Sequence, residues 1–183
     1  MKPLVVALVL AGVAVIVGAR CMTVRKDLVS ERQAISADWA QVDAALTHRS
    51  GIVPELAETL QAEAPPDSRP ALVRAITAAG AARNALAAAR SRPQEIRANA
   101  RLDDALARLM LVVENYPKLA RSKKYGDLLE ALKNAEYQIA LARRKYNEAV
   151  EHYNAGIDLF PHNIVASLSG LGKIDAYFQT PAI

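Results

Sequence analysis

Five large apolar residues, Leu132, Ile139, Tyr146, Tyr153 and Phe160, follow one another at seven-residue intervals. Leu128, Ala135, Ala142 and Ala149 form a second series with the same period, offset from the first by four residues one way and three the other. Seven residues are two helical turns, so both series return to one side of a helix, whereas a strand with its period of two would scatter them over both faces. The spacing predicts a long helix from about Tyr125 to Phe160 that packs along one seam. Tyrosines fill one row and small alanines the other, which gives the large rings room. Within this helix the dipeptide Tyr-Asn occurs twice, at Tyr146-Asn147 and Tyr153-Asn154. The tyrosines fall on the seam with hydroxyls that can reach polar partners at its edge; the asparagines flank it.

The same rhythm runs through the rest of the chain. Leu28, Ile35 and Val42 make one series, and Trp39, Leu46, Val53, Leu56 and Leu60 follow the other. Pro54 falls inside this helix and predicts a bend, because its ring clashes with the carbonyl four residues back. Pro65-Pro66 predicts its end, and the turn APPDSRP carries a restart signal, with Asp67 or Ser68 as cap and Pro70 in the first turn. Leu72, Ile76, Ala79 and Leu86 carry an alanine-rich second helix with Pro93 as an interruption. Leu102, Leu106, Leu109 and Val113 then resume the spacing up to Asn115-Tyr116-Pro117. After Phe160-Pro161, the glycines Gly170 and Gly172 break HNIVASLSGLGKIDAYF into a shorter helix or two that fold back. Aromatic residues are only 5% of the chain and alanine supplies much of its apolar share, which favours close-packed helices over a sandwich of strands. The expected fold is all-α: an antiparallel bundle of long helices, four-helix-like, with an N-terminal transmembrane helix.

That last element rests on residues 3–19, PLVVALVLAGVAVIVGA, which carry no charge. As a helix they reach about 25 Å, at the short end of what spans a hydrocarbon core of about 30 Å. Three readings compete. An uncleaved anchor leads, because the run exceeds the apolar core of an ordinary secretory signal. A cleaved signal is the alternative, with Val17-Gly18-Ala19 as a small-residue site. Lipid attachment at Cys21 is disfavoured by Arg20, which occupies a place where such signals need a small residue. The division is an anchor over 1–23 and a helical domain over 24–183. Arg20, Arg25, Lys26 and Arg32 follow the span while Lys2 precedes it, so the positive-inside rule leans towards a single-pass protein of the cell (inner) membrane with its C-terminal domain in the cytoplasm.

The residues offer little chemistry. Cys21 stands alone, so neither an internal disulfide nor a cysteine-built zinc site can form. A di-iron bundle needs Glu-x-x-His on two helices; the residues three before His48, His152 and His162 are Ala45, Ala149 and Leu159. Glu148 and Glu151 beside His152 read as a solvated face. No phosphate-binding glycine loop or His-Glu-x-x-His motif is present. Asp103-Asp104 and the pair Asp38/Asp43 read as exposed or salt-bridged to arginines. The basic clusters Arg121-Ser-Lys-Lys124 and Arg143-Arg144-Lys145 lack the interleaved aromatics of a nucleic-acid reader and read as solvated faces. Anionic headgroups or an acidic protein would be the partners they fit.

Three stretches, WAQVDAALTHRSGIVPEL, ANARLDDALARLMLVVENYPKL and LLEALKNAEYQIALARRKYNEAVEHYNAGIDLFPHNIVA, taken in order, resemble the LemA family of bacterial membrane-anchored proteins. The likeness covers most of residues 28–178. It implies a short exposed N-terminus, one membrane helix and a bundle of long antiparallel helices, with no established enzymatic activity. It also implies an association with envelope functions, one branch of the family serving magnetosome formation. APPDSRP departs from the His-Glu-containing turn usual after the first helix, and Glu55 stands where an asparagine commonly follows the proline. The structural or interaction candidates within these stretches are Trp39, Gln41, Asp43, Arg49, Pro54, Tyr116, Pro117, Tyr146, Asn147, Tyr153, Asn154, Phe160, Pro161 and Asn163. The expected function is a membrane-tethered scaffold or adaptor without enzymatic activity or cofactor. It would contact the bilayer through 3–19 and a membrane-protein partner through the bundle, and would bind no nucleic acid. The alternatives are a metal-binding or enzymatic bundle and a binder of anionic lipid or polymer.

Overall fold

The first helix, α1, runs from Lys2 to Glu63 with Pro54 inside it. The computed structural model describes residues 2–64 and 69–178, with side chains for residues 8, 10–64 and 70–178. Among the described residues five further helices follow: α2 (Arg69–Ala87), α3 (Arg92–Glu114), α4 (Pro117–Ala120), α5 (Lys123–Gly156) and α6 (His162–Ser169). Among the described residues there is no strand. The stop at Pro65-Pro66 and the cap at Asp67 or Ser68 lie outside the described residues. Pro93 does not interrupt a helix but opens one: it sits in the first turn of α3, where its missing N–H costs nothing.

The chain divides into two units, Met1–Asp38 with Lys145–Asp175 and Trp39–Arg144 with Ala176–Ile183. In the first, Asp38 pairs with Lys145 at 2.8 Å and Glu31 lies 3.8 Å from His152. Moving back along α1 therefore means moving forward along α5, which makes this pair of helical segments antiparallel. Val24, Leu28 and Ile35 from α1 are buried in this unit, as are Tyr146, Val150, Tyr153 and Ile157. In the second unit Trp39 lies near Arg92, while ten residues further along α1 Arg49 reaches Asn99 and Asp103. There α1 and α3 run the same way. Their core is Val42, Leu46, Val53, Leu56 and Leu60 with Leu102, Leu106, Leu109 and Val113, joined by Leu72, Ala79, Leu132 and Ile139.

The seam of α5 holds at Leu128, Leu132, Ala135, Ile139, Tyr146 and Tyr153, all buried. It departs from strict sevens at both Ala142 and Ala149, which are only half-buried, while Val150 is buried. A straight α-helix drifts by about 20° per heptad, so the buried stripe moves round by a residue. Phe160 is a correction: it does not extend the seam but is 79% exposed. α5 ends at Gly156, and Pro161 disfavours a helical backbone at the residue before it. α6 closes at Gly170, whose φ of +66° is left-handed and costs glycine little. The Leu171 N–H then bonds the Ala166 carbonyl at 2.9 Å, capping the helix end. The segment after Gly170 is not a second helix.

The N-terminal span is found only in part. The helix is present, and its described residues from Leu10 to Arg20 are exposed. Among the described residues, however, no helix is long and apolar enough to cross a membrane. The side chains of residues 3–7 and 9, part of the expected span, lie outside the described residues.

Candidate functional site

Asn99 and Asp103 stand four apart on α3, so they share one face. Both turn to Arg49 of α1, whose side chain is 0% exposed. One guanidinium nitrogen, Nη1, donates to Asp103 Oδ1 and to Glu136 Oε1 of α5. The other, Nη2, donates to Asn99 Oδ1 at 2.5 Å, and the Asn99 amide donates in turn to Asp103 Oδ2 at 3.1 Å. Among the described residues, Arg49 Nε is buried without a hydrogen-bond partner. One planar fork thus ties α1, α3 and α5 together, a task suited to arginine, which holds its charge when buried.

The cluster is not sealed, since the carboxylates of Asp103 and Glu136 stay partly exposed. Burial nevertheless pushes the Asp103 carboxyl above its ordinary range, against the pull of Arg49. Arg143 lies beside them, its own pKa lowered first by burial and raised again by Asp103 and Glu136. Two arginines therefore face two carboxylates. Arg143 also corrects the reading of its cluster as a solvated face: its guanidinium sits 4.3 Å from the centre of the Phe178 ring, a cation–π distance.

Phe178 in turn stacks on Trp39, with centroids 5.8 Å apart and planes 17° from parallel. Arg92 covers the Trp39 ring at 5.4 Å. The Glu95 carboxylate takes a side-chain hydrogen bond from Trp39, yet burial and then the charge of Asp43 raise its pKa. Among the described residues, Glu95 Oε2 is buried without a hydrogen-bond partner. Among the described residues no group of three or more His, Cys, Asp or Glu could hold a metal ion.

In the unit of Met1–Asp38 and Lys145–Asp175, the second Tyr-Asn works as a clasp. Tyr153 donates its hydroxyl to the Gly172 carbonyl at 3.2 Å. The Asn154 amide donates to the Ile174 carbonyl at 2.8 Å and accepts from the Ile174 N–H at 2.9 Å. A side-chain amide thereby pairs like a backbone group with a segment that has no secondary structure of its own. Asn154→Ala should lower stability by about 1–3 kcal/mol, the cost of leaving part-buried polar groups unpaired. Asn154→Asp, which keeps the acceptor and loses the donor, should fall between. Hydrogen exchange at the Ile174 amide checks this: unchanged protection in Asn154→Ala would show that the clasp holds nothing.

The candidate residues divide between the two units, and each is placed within its own. Trp39 and Asp43 meet around Glu95, and Arg49 anchors the polar cluster. Tyr153 and Asn154 serve the clasp, while Tyr146 is buried beside them on the seam and Asn147 is half-buried. Gln41 and Pro54 are exposed on α1. Tyr116 and Pro117 start the single turn of α4. Pro161 precedes α6, and Asn163 uses its side chain to accept from the Ile164 N–H at 2.8 Å. Asn99, Glu136, Arg143 and Phe178 were missed as members of these clusters. The Asn99–Asp103 spacing was their one visible signal.

The sequence model of the LemA family matches residues 38–182. Two magnetosome proteins of Paramagnetospirillum magneticum, MamQ 1 and MamQ 2, are each 35% identical over 79 residues. The MamQ of Magnetospirillum gryphiswaldense is 30% identical over the same length. The matched stretch is 43% of this chain but only 29% of each relative, so the chain spans less than a third of their length. With four-fifths of its residues inside the family match, including the Arg49 cluster and the Tyr-Asn clasp, this chain belongs to the LemA family.

Proposed function

We propose that the chain is a membrane-tethered helical adaptor without catalytic activity, anchored through residues 3–19 and presenting residues 24–183 to an envelope protein. The observation that carries this reading is the bare apolar stretch of α1. Leu10, Val13, Val15, Ile16 and Val17 are all more than half exposed on a helix that continues unbroken into the folded part. Such a surface needs lipid or protein around it. Its likeness to magnetosome proteins supports a place at a membrane structure. The charged groups of the Arg49 cluster support a non-catalytic role, because their hydrogen bonds are directed at one another across three helices. The excess of Arg20, Arg25 and Lys26 after the span supports a cytoplasmic domain.

Carbonate extraction of membranes, with N-terminal sequencing of the recovered chain, tests the anchor. The expected result is a full-length chain that stays in the pellet. A soluble chain beginning at Arg20 would overturn the reading in favour of secretion.

A further inference from the structure

The contacts between α1 and α5 fix a register. Asp38 faces Lys145, and seven residues back Glu31 faces His152, seven residues on. Seven more in each direction bring Val24 level with Leu159, where α5 has given way to the turn before α6. Val24 is also where burial on α1 stops: among the described residues before it, none is buried and Met22 is 67% exposed. The turn and α6 therefore lie at the end of this unit from which the bare apolar stretch of α1 emerges.

At that end the turn and α6 are apolar on the outside too. Val165 and Ala166 are buried, but Leu159, Phe160, Ile164 and Leu168 are exposed, Leu168 to 82%. Ile164 and Leu168 stand four apart and share one face of α6. On the stretch of α1 at this level the exposed charge is mainly positive. Arg20, Arg25 and Lys26 are exposed against one exposed acid of the same stretch, Asp27, and Asp158 is matched by Lys173 at 2.7 Å. An apolar wedge beside a cationic collar is the composition of a surface that lies in a bilayer interface, its apolar side chains sunk about 5–10 Å into the headgroup boundary.

We propose that Leu159, Phe160, Ile164 and Leu168 form a second lipid contact, inserted in the interface of an anionic bilayer next to the α1 span. The proposal rests on the reading of α1 as an anchor, and two probes separate them. The full chain carrying Cys21→Ser is given a single cysteine, either Val13→Cys or Leu168→Cys. It is labelled with an environment-sensitive fluorophore and reconstituted in vesicles of phosphatidylcholine and phosphatidylglycerol. Nitroxide lipids then quench from a shallow or a deep position. The expected result is deep quenching at 13, and blue-shifted emission with shallow quenching at 168. Phe160→Asp with Ile164→Asp should abolish the signal at 168 and leave that at 13, with helicity unchanged by circular dichroism. Quenching at 13 with a water-like, unquenched probe at 168 overturns the second contact and spares the anchor. Quenching at neither position overturns both.

Discussion

Replacing Asp103 by asparagine and Glu136 by glutamine together should destabilise the chain by about 3–5 kcal/mol, the cost of leaving a buried charge uncompensated. The Arg49 side chain is 0% exposed, so its cation would remain buried with both anionic acceptors gone. Arg49→Met should cost less, about 1–3 kcal/mol for the unpaired Asn99 oxygen, because Asp103 and Glu136 reach solvent on their own. Adding Arg49→Met to the double variant should therefore restore stability, the sign opposite to that of an additive loss. Urea denaturation of the four chains in nanodiscs decides it. If the triple variant is the least stable, Arg49 is held by packing and not by its anions.

Acidification has a definite sign at the same cluster. Burial outweighs the attraction of Arg49 and raises the Asp103 carboxyl, so the folded chain binds that proton more readily than the unfolded one. Its contribution to stability is full below the ordinary carboxylate range and is lost as pH rises through the raised value. Glu95, raised by burial and by Asp43, acts in the same direction. Asp103→Asn alone should consequently be mild at neutral pH, where Glu136 still faces Arg49, and more costly relative to the parent in acid.

The helices were legible because their signal is local. Leu132, Ile139, Tyr146 and Tyr153 keep one period for six turns, and burial follows it. Phe160 kept the period as well, but the period does not show where a helix stops; Gly156 and Pro161 did, and they outweighed it. The polar cluster was illegible for the opposite reason. Arg49 is joined to partners 50, 54 and 87 residues away, and an arginine on a helix that ends up wholly buried has the same letter as one in water. The Trp39–Phe178 stack depends on a tail without secondary structure, for which periodicity has no reading at all.

Tyr153 is where the local and the distant meet, and its truncation should rank with the loss of the Arg49 anions. It is fully buried on the seam, with the Arg32 guanidinium 6.0 Å from its ring centre and its hydroxyl on Gly172. Tyr153→Ala should cost about 3–5 kcal/mol, as large aromatic truncations do when the cavity cannot collapse. Tyr153→Phe keeps the ring and should cost about 0.5–1.5 kcal/mol for one hydrogen bond. The two variants separate seam from clasp: if packing dominates, Tyr153→Phe leaves the protection of the Ile174 amide largely intact, since Asn154 still holds that residue. Combining Tyr153→Phe with Asn154→Ala should then release the segment at a cost near the sum of the two, measured by urea denaturation and hydrogen exchange together. A Tyr153→Ala chain as stable as its parent would mean that the ring fills no part of the seam, and the register of α5 against α1 would have to be redrawn.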